Sequence, residues 1–340
     1  MKHPLLYGPA LVFGLCGGIL LACQAPVFRY ALERWTAGTW NIVVLSQGPL
    51  SPAQSLSLQM LQQPTASASL PMKIQHIDLS VAAPADRRRW ASHWQAAGNE
   101  AIPVVVALYP QPSNVDQPVA SLMQLSATTA EQILSSPVRR ELASRLTAGH
   151  SAVWLFLDSG ETQADQNALE RLNRQLKADE QRLTLPTAAD LQITPEQLRQ
   201  LQIPLKLQFS VLRLGRDDPD ERFLVDSLLG SEADLRELSE PMAFPVFGRG
   251  RVLYALVGMG IDAKTISVAS DFLAGPCSCQ VKEQNPGFDL LLTHDWPAAI
   301  GDTLVSSPVP EEQKSPALLK IPPGRTTGNQ SAGPSQKSGK

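Results

Sequence analysis

The sequence predicts an α/β protein made of two similar halves in tandem. Three observations predict it. Apolar, β-branched runs alternate with stretches of helical spacing, the order β-α-β-α-β-β-α occurs twice, and Gly or Pro punctuates the junctions. With 340 residues, 43% of them hydrophobic, the chain is long enough to bury the cores of two domains.

In the first half, residues 41–46 are an apolar run, and residues 51–61 have helical spacing with Pro52 suited to a first turn. Residues 73–81 alternate as a strand, with Ile74, His76, Asp78 and Ser80 on one face and Gln75, Ile77, Leu79 and Val81 on the other. Residues 85–98 form a helix. Trp90 and Trp94 fall one turn apart in it and face inward, while Arg87, Arg88 and Arg89 stay in water. Ile102-Pro103 opens a strand at 104–108, residues 110–118 turn the chain back, and 119–125 is the fourth strand. Thr128 with Glu131 has capping-box spacing, Ser136-Pro137 restarts a helix, and Gly149 ends it.

The second half repeats this order with longer insertions. Residues 152–157 are a strand and 161–183 a helix, with Leu169, Leu172 and Leu176 on one stripe. Residues 205–214 are the next strand, followed by a helical stretch at 218–238 that is interrupted near Gly230. Residues 244–247 and 251–257 pair around Gly248-Arg249-Gly250, and 262–274 is a helix ended by Gly275-Pro276. Residues 288–293 suit an added edge strand. From Val305 onward Pro, Ser, Gly, Gln and Lys dominate, which predicts a disordered tail.

Ahead of these halves stands a charge-free apolar run behind Met1-Lys2-His3 that closes on Leu20-Leu21-Ala22-Cys23. This stretch resembles the lipobox of bacterial lipoprotein signal peptides, although Leu21 sits where a smaller or polar residue is usual. The resemblance implies that Cys23 is acylated and becomes the first mature residue. The protein would then be extracytoplasmic and anchored in the bacterial cell envelope, with inner or outer membrane left open. An uncleaved membrane helix is the alternative, disfavoured by Gly8, Pro9, Gly14, Gly17 and Gly18. Residues 26–35 are also similar to the starts of some uncharacterised bacterial lipoproteins. The expected organisation is a signal peptide at 1–22, a tether at 23–40, domains at 41–150 and 151–304, and the tail at 305–340.

The net charge of −3 offers no basic field for nucleic acid. His76, His93, His150 and His294 are scattered, with no His-Glu-x-x-His and no Gly-x-Ser-x-Gly. Gly248-Arg249-Gly250 and Gly258-Met259-Gly260 lack the glycine fingerprint of a nucleotide site. The acids at 217–221 read as a helix start around Pro219, and Asp158 and Glu161 as loop acids at a strand end. Cys277 and Cys279 are the chemical candidates, as a redox dithiol or a soft-metal site with His294 as third ligand. Their place after a helix C-terminus disfavours the thiolate, and a closed zinc site lacks a fourth ligand.

The first half resembles the thioredoxin fold, and the second does so more loosely. Gln47-Gly48-Pro49-Leu50 stands where that family carries Cys-Gly-Pro-Cys, with Gly48 and Pro49 matching and both sulfurs absent. The resemblance implies that Pro103 holds the family's cis-proline position, with Pro241 or Pro245 its counterpart, and that dithiol exchange is lost. The expected function is therefore a membrane-tethered, non-catalytic module that binds or positions an envelope protein. It needs no cofactor beyond lipid on Cys23. The alternative is a thiol redox or metal-handling lipoprotein acting through Cys277 and Cys279.

Overall fold

The structure, a computed structural model, describes residues 24–63, 71–96, 103–111, 115, 118–276, 282 and 287–306. Cys23, Cys277 and Cys279 lie outside the described residues, as do the signal segment and the tail beyond Ser306.

The protein is mixed α/β with two sheets. The first contains β1 (Trp40–Ser46), β2 (Met72–Asp78), β3 (Val104–Leu108) and β4 (Val119–Gln124) in the order β2-β1-β3-β4. β1 and β2 are parallel, and β3 is antiparallel to β1 and β4. The second sheet contains β5 (Ala152–Leu157), β6 (Phe209–Leu214), β7 (Met242–Phe247), β8 (Arg251–Val252), β9 (Leu256–Val257) and β10 (Phe288–Asp289). It repeats the pattern: β5 is parallel to β6 and antiparallel to β7, which pairs with β8 and β9. β10 adds the expected edge, though only Phe288 and Asp289 join it.

The helices follow from local chemistry. Ser51 and Gln54 exchange capping hydrogen bonds at the start of α2 (Pro52–Gln62), where Pro52 costs no hydrogen bond. α3 (Pro84–Ala96) buries Trp90 and leaves Arg87, Arg88 and Arg89 exposed, as its spacing predicts. α4 (Ala127–Leu134) is capped by Ser126, not at Thr128 as expected, because the Ser126 hydroxyl accepts from the Thr129 N–H. Ser136 caps α5 (Pro137–Thr147). The second half carries α6 (Thr162–Arg182), the short α7 (Pro195–Arg199), α8 (Arg222–Leu229), α9 (Ala263–Ala274) and α10 (Trp296–Ile300). Asp218 caps the 3-10 turn that leads into α8, so the acids at 217–221 do start a helix.

Three of the four apolar clusters among the described residues pack around the sheets. Trp40, Ile42, Val44 and Val105 from the first sheet share one apolar cluster with Val153, Leu155, Phe244 and Val246 from the second, filled out by α2, α4, α5 and α8. The far face of the first sheet is covered by α3 through Trp90, and that of the second by α6 and α9. β5 is consequently buried along its whole length and reads as an unbroken apolar run.

Two expectations need correction. Residues 23–40 were expected to form a tether, yet α1 (Val27–Arg34) occupies them and buries seven of its eight residues against α9 and the second sheet. Its Arg29 and Glu33 look like surface charges in the sequence, but they pair with each other at 2.6 Å inside the protein. The tail was expected from 305, yet Val305 and Ser306 are buried and their N–H groups donate to Glu33. Smaller shifts are strand ends: β2 stops at Asp78, β6 begins at Phe209, and residues 253–255 split the expected strand 251–257 into β8 and β9.

Candidate functional site

β1 ends at Ser46, and the chain turns through Gln47-Gly48-Pro49-Leu50 into α2. Gly48 makes the turn with φ +109°, a conformation that other residues rarely adopt. The loop is tied to the end of the neighbouring strand, where Asp78 stands opposite Ser46. One Asp78 carboxylate oxygen accepts from the Gly48 N–H at 2.8 Å, the Ser80 N–H at 2.9 Å and the Ser80 hydroxyl at 2.7 Å. The Ser80 hydroxyl first, then these two N–H groups, hold the Asp78 carboxyl below its ordinary range. His76, on the same strand face, places Nε2 2.9 Å from the Ser46 hydroxyl. The alternation of residues 73–81 had put His76, Asp78 and Ser80 on one face; only the parallel register shows that this face locks the loop.

Pro103 immediately precedes β3. Leu45 pairs with Val104, so the next position along the ladder sets Pro103 beside Ser46. Its carbonyl accepts from the Leu125 N–H at 2.8 Å. The second half has the same device. Leu157 pairs with Met242, which sets Pro241 beside Asp158, and the Pro241 carbonyl accepts from the Gly258 N–H at 2.8 Å. Pro245 instead lies within β7 opposite Trp154, where the break between β8 and β9 leaves its missing N–H without consequence.

The loop after β5 is likewise locked by a carboxylate. Buried Asp165 accepts from the Ser159 N–H and hydroxyl at 2.8 and 2.6 Å and from the Gly160 N–H at 3.2 Å. Asp158 takes both oxygens to Arg213 Nε at 2.8 and 2.9 Å.

Chemically, both loops are polar, hydrogen-bonded turns without sulfur. Ser46 and His76 have the spacing of a nucleophile and its base, but Ser46 is 1% exposed and has no room for a reacting carbonyl. His294 packs edge-on against Trp296 at 4.8 Å, and its Nε2 is buried without a hydrogen-bond partner. Burial pushes its pKa down. Among the described residues no three His, Cys, Asp or Glu side chains are grouped to hold a metal, and no helix is long and apolar enough to cross a membrane. Cys277 and Cys279, the expected partners of His294, lie outside the described residues, while the chain up to Pro276 is described. Pro276 pairs with Pro26 in an antiparallel bridge, and the Val27 N–H donates to the Gly275 carbonyl at 3.0 Å. Residues 275–276, just before Cys277, thus lie beside residues 26–27, a few positions after Cys23.

A groove of about 510 Å³ opens on the outer face of the first sheet, lined by Asn41, Val43, Gln75, Leu108, Trp90 and Arg89, whose guanidinium lies 5.1 Å from the Trp90 ring. Composition did not flag it, because its walls come from three strands and α3. No protein-family model, no curated protein and no solved structure gave a match to the chain.

Proposed function

We propose that the chain is a lipid-anchored, extracytoplasmic binding module of a bacterial envelope, with two thioredoxin-like halves that have lost their exchange chemistry. The observation that carries this reading is the repeated strand pattern. In both halves the loop after the first strand, 47–50 and 158–161, sits beside a proline that precedes the third strand, and neither loop holds a cysteine. A thiolate is the nucleophile of disulfide exchange, so that reaction has no starting group at either loop. The groove beside α3 offers apolar walls with a few polar groups, the usual make-up of a recognition surface. The anchor is lipid on Cys23, and the partner is an envelope protein.

The second reading, a thiol or metal function of Cys277 and Cys279, is favoured by the Pro26–Pro276 bridge, which pairs the residue before Cys277 with one three positions after Cys23. One set of measurements separates the two. On the full-length protein, the binding module gives no insulin disulfide reduction, no stoichiometric metal and one enriched crosslinked envelope protein. Reversible oxidation or bound metal that disappears in Cys277→Ser with Cys279→Ser establishes the second reading instead. A Cys23→Ser variant that still takes up radiolabelled acyl chains removes the anchor.

A further inference from the structure

A lipid anchor normally needs a spacer to hold a folded body clear of the bilayer, and this chain has none. Gln24 is exposed, Ala25 is already 1% exposed, and Pro26 is fixed to Pro276. Ala25 packs into a cluster with Leu191, Leu201 and Val305, and α1 is buried from its first residue. Ala25 is the second residue after Cys23, so fixed structure begins within about 7 Å of the acylated residue's backbone.

The surrounding elements show which end of the body this is. The start of α1 bonds to Gly275 at the end of α9. α9 runs alongside α6 in the same direction, since Arg171 donates to the Ile261 carbonyl, Gln175 to Ser267, and Arg182 pairs with Asp271 at 2.7 Å. The start of β6 meets this same end, the Phe209 N–H donating to Glu180. The ends of α6 and α9 and the starts of α1 and β6 therefore gather at one pole. The 21 residues of α6 carry the chain about 31 Å from its start, beside the Asp158–Glu161 loop, to that pole.

Building on the anchor reading above, we infer that the body stands directly on the bilayer on this pole, with the Asp158–Glu161 loop about 30 Å out from the headgroups. At this pole Arg182 is shared between Asp179 and Asp271, so its charge is internally paired. Membrane association rests on the acyl chains and is insensitive to salt.

The test uses the full-length lipidated protein in phosphatidylethanolamine–phosphatidylglycerol vesicles doped with headgroup-nitroxide lipid. A fluorescent amino acid replaces Gln181 or Gln163, both exposed and about 27 Å apart on α6. Fluorescence is lost at 181 and kept at 163, in low and high salt alike. A Gly/Ser spacer of about 12 residues inserted after Gln24, reaching about 20 Å, restores fluorescence at 181 without releasing the protein. Equal quenching at both positions, or no effect of the spacer, in protein that floats with vesicles overturns the direct stance and leaves the anchor intact. Wild-type protein that does not float overturns the anchor, and the stance with it.

Discussion

Glu33 on α1 receives the backbone N–H of Ser306 at 2.8 Å, closing the two ends of the described chain onto each other. The same carboxylate takes both Arg29 Nε at 2.6 Å and the Val305 N–H at 3.1 Å, and Arg29 reaches on to the Ile203 carbonyl. A single buried acid thus neutralises one cation and caps two orphan donors.

Replacing Glu33 by Ala strands all of these at once. Removing one partner of a buried pair typically costs about 3–5 kcal/mol, so Glu33→Ala should lose that much in urea unfolding and expose the chain near Val305 to proteases. Glu33→Gln, which keeps acceptor oxygen but not charge, should lose less. A loss under about 1 kcal/mol for the alanine variant would mean that the clamp is ornamental.

Two glycines with similar backbone angles should respond very differently. Gly48, at φ +109°, has nothing within 4 Å of an added Cβ, whereas at Gly287, φ +96°, that carbon would lie 1.9 Å from the Val252 carbonyl oxygen. Gly48→Ala should cost only its backbone strain, about 1–2 kcal/mol. Gly287→Ala adds a collision that displaces β10, and should cost more than about 3 kcal/mol or prevent folding. Thermal unfolding of both variants decides it; equal losses would contradict the geometry.

Acid should weaken the fold through two histidines. Burial, with Lys206 and Arg145 behind it, pushes His150 down, and burial does the same to His294. The unfolded chain then takes up protons at a higher pH than the folded one. The stabilising contribution is complete above the ordinary histidine value of 6.5 and falls as pH drops through it toward the lowered folded values. Unfolding midpoints between about pH 8 and about pH 5 should decline, and His150→Gln with His294→Gln should flatten the decline. An unchanged slope in the double variant would count against this cause.

The Pro26–Pro276 bridge makes a prediction about sulfur. Cys23 is three residues from one member of the bridge and Cys277 one residue from the other, a reach of about 10 Å plus about 3 Å. In protein made without export, so that Cys23 keeps its thiol, a short bis-maleimide should join Cys23 to Cys277 or Cys279. Mass spectrometry of the digest showing neither link would place the two stretches apart.

Much of the architecture was legible because alternation and helical spacing are local. The runs at 41–46, 104–108 and 152–157 became β1, β3 and β5, and Pro52, Ser136 and Gly149 punctuated helices as turn chemistry requires. α1 was not legible. Its charges hide a helix that is buried on every side, and only the folded chain supplies Ile203, Val305 and Ser306 as partners for them. The loop at 47–50 could be located from its Gly and Pro, but its tie to Asp78 depends on a parallel register that brings together residues 30 apart.

The sequence alone determined the α/β class, the repeated order of elements and the absence of sulfur from both loops, because these depend on spacing and identity. The tertiary structure decided the rest. It chose Pro241 over Pro245 as the counterpart of Pro103, merged the two sheets into one core, and turned an expected tether into packed helix. Register, burial and charge pairing are properties of residues far apart in the chain, so no local pattern could carry them.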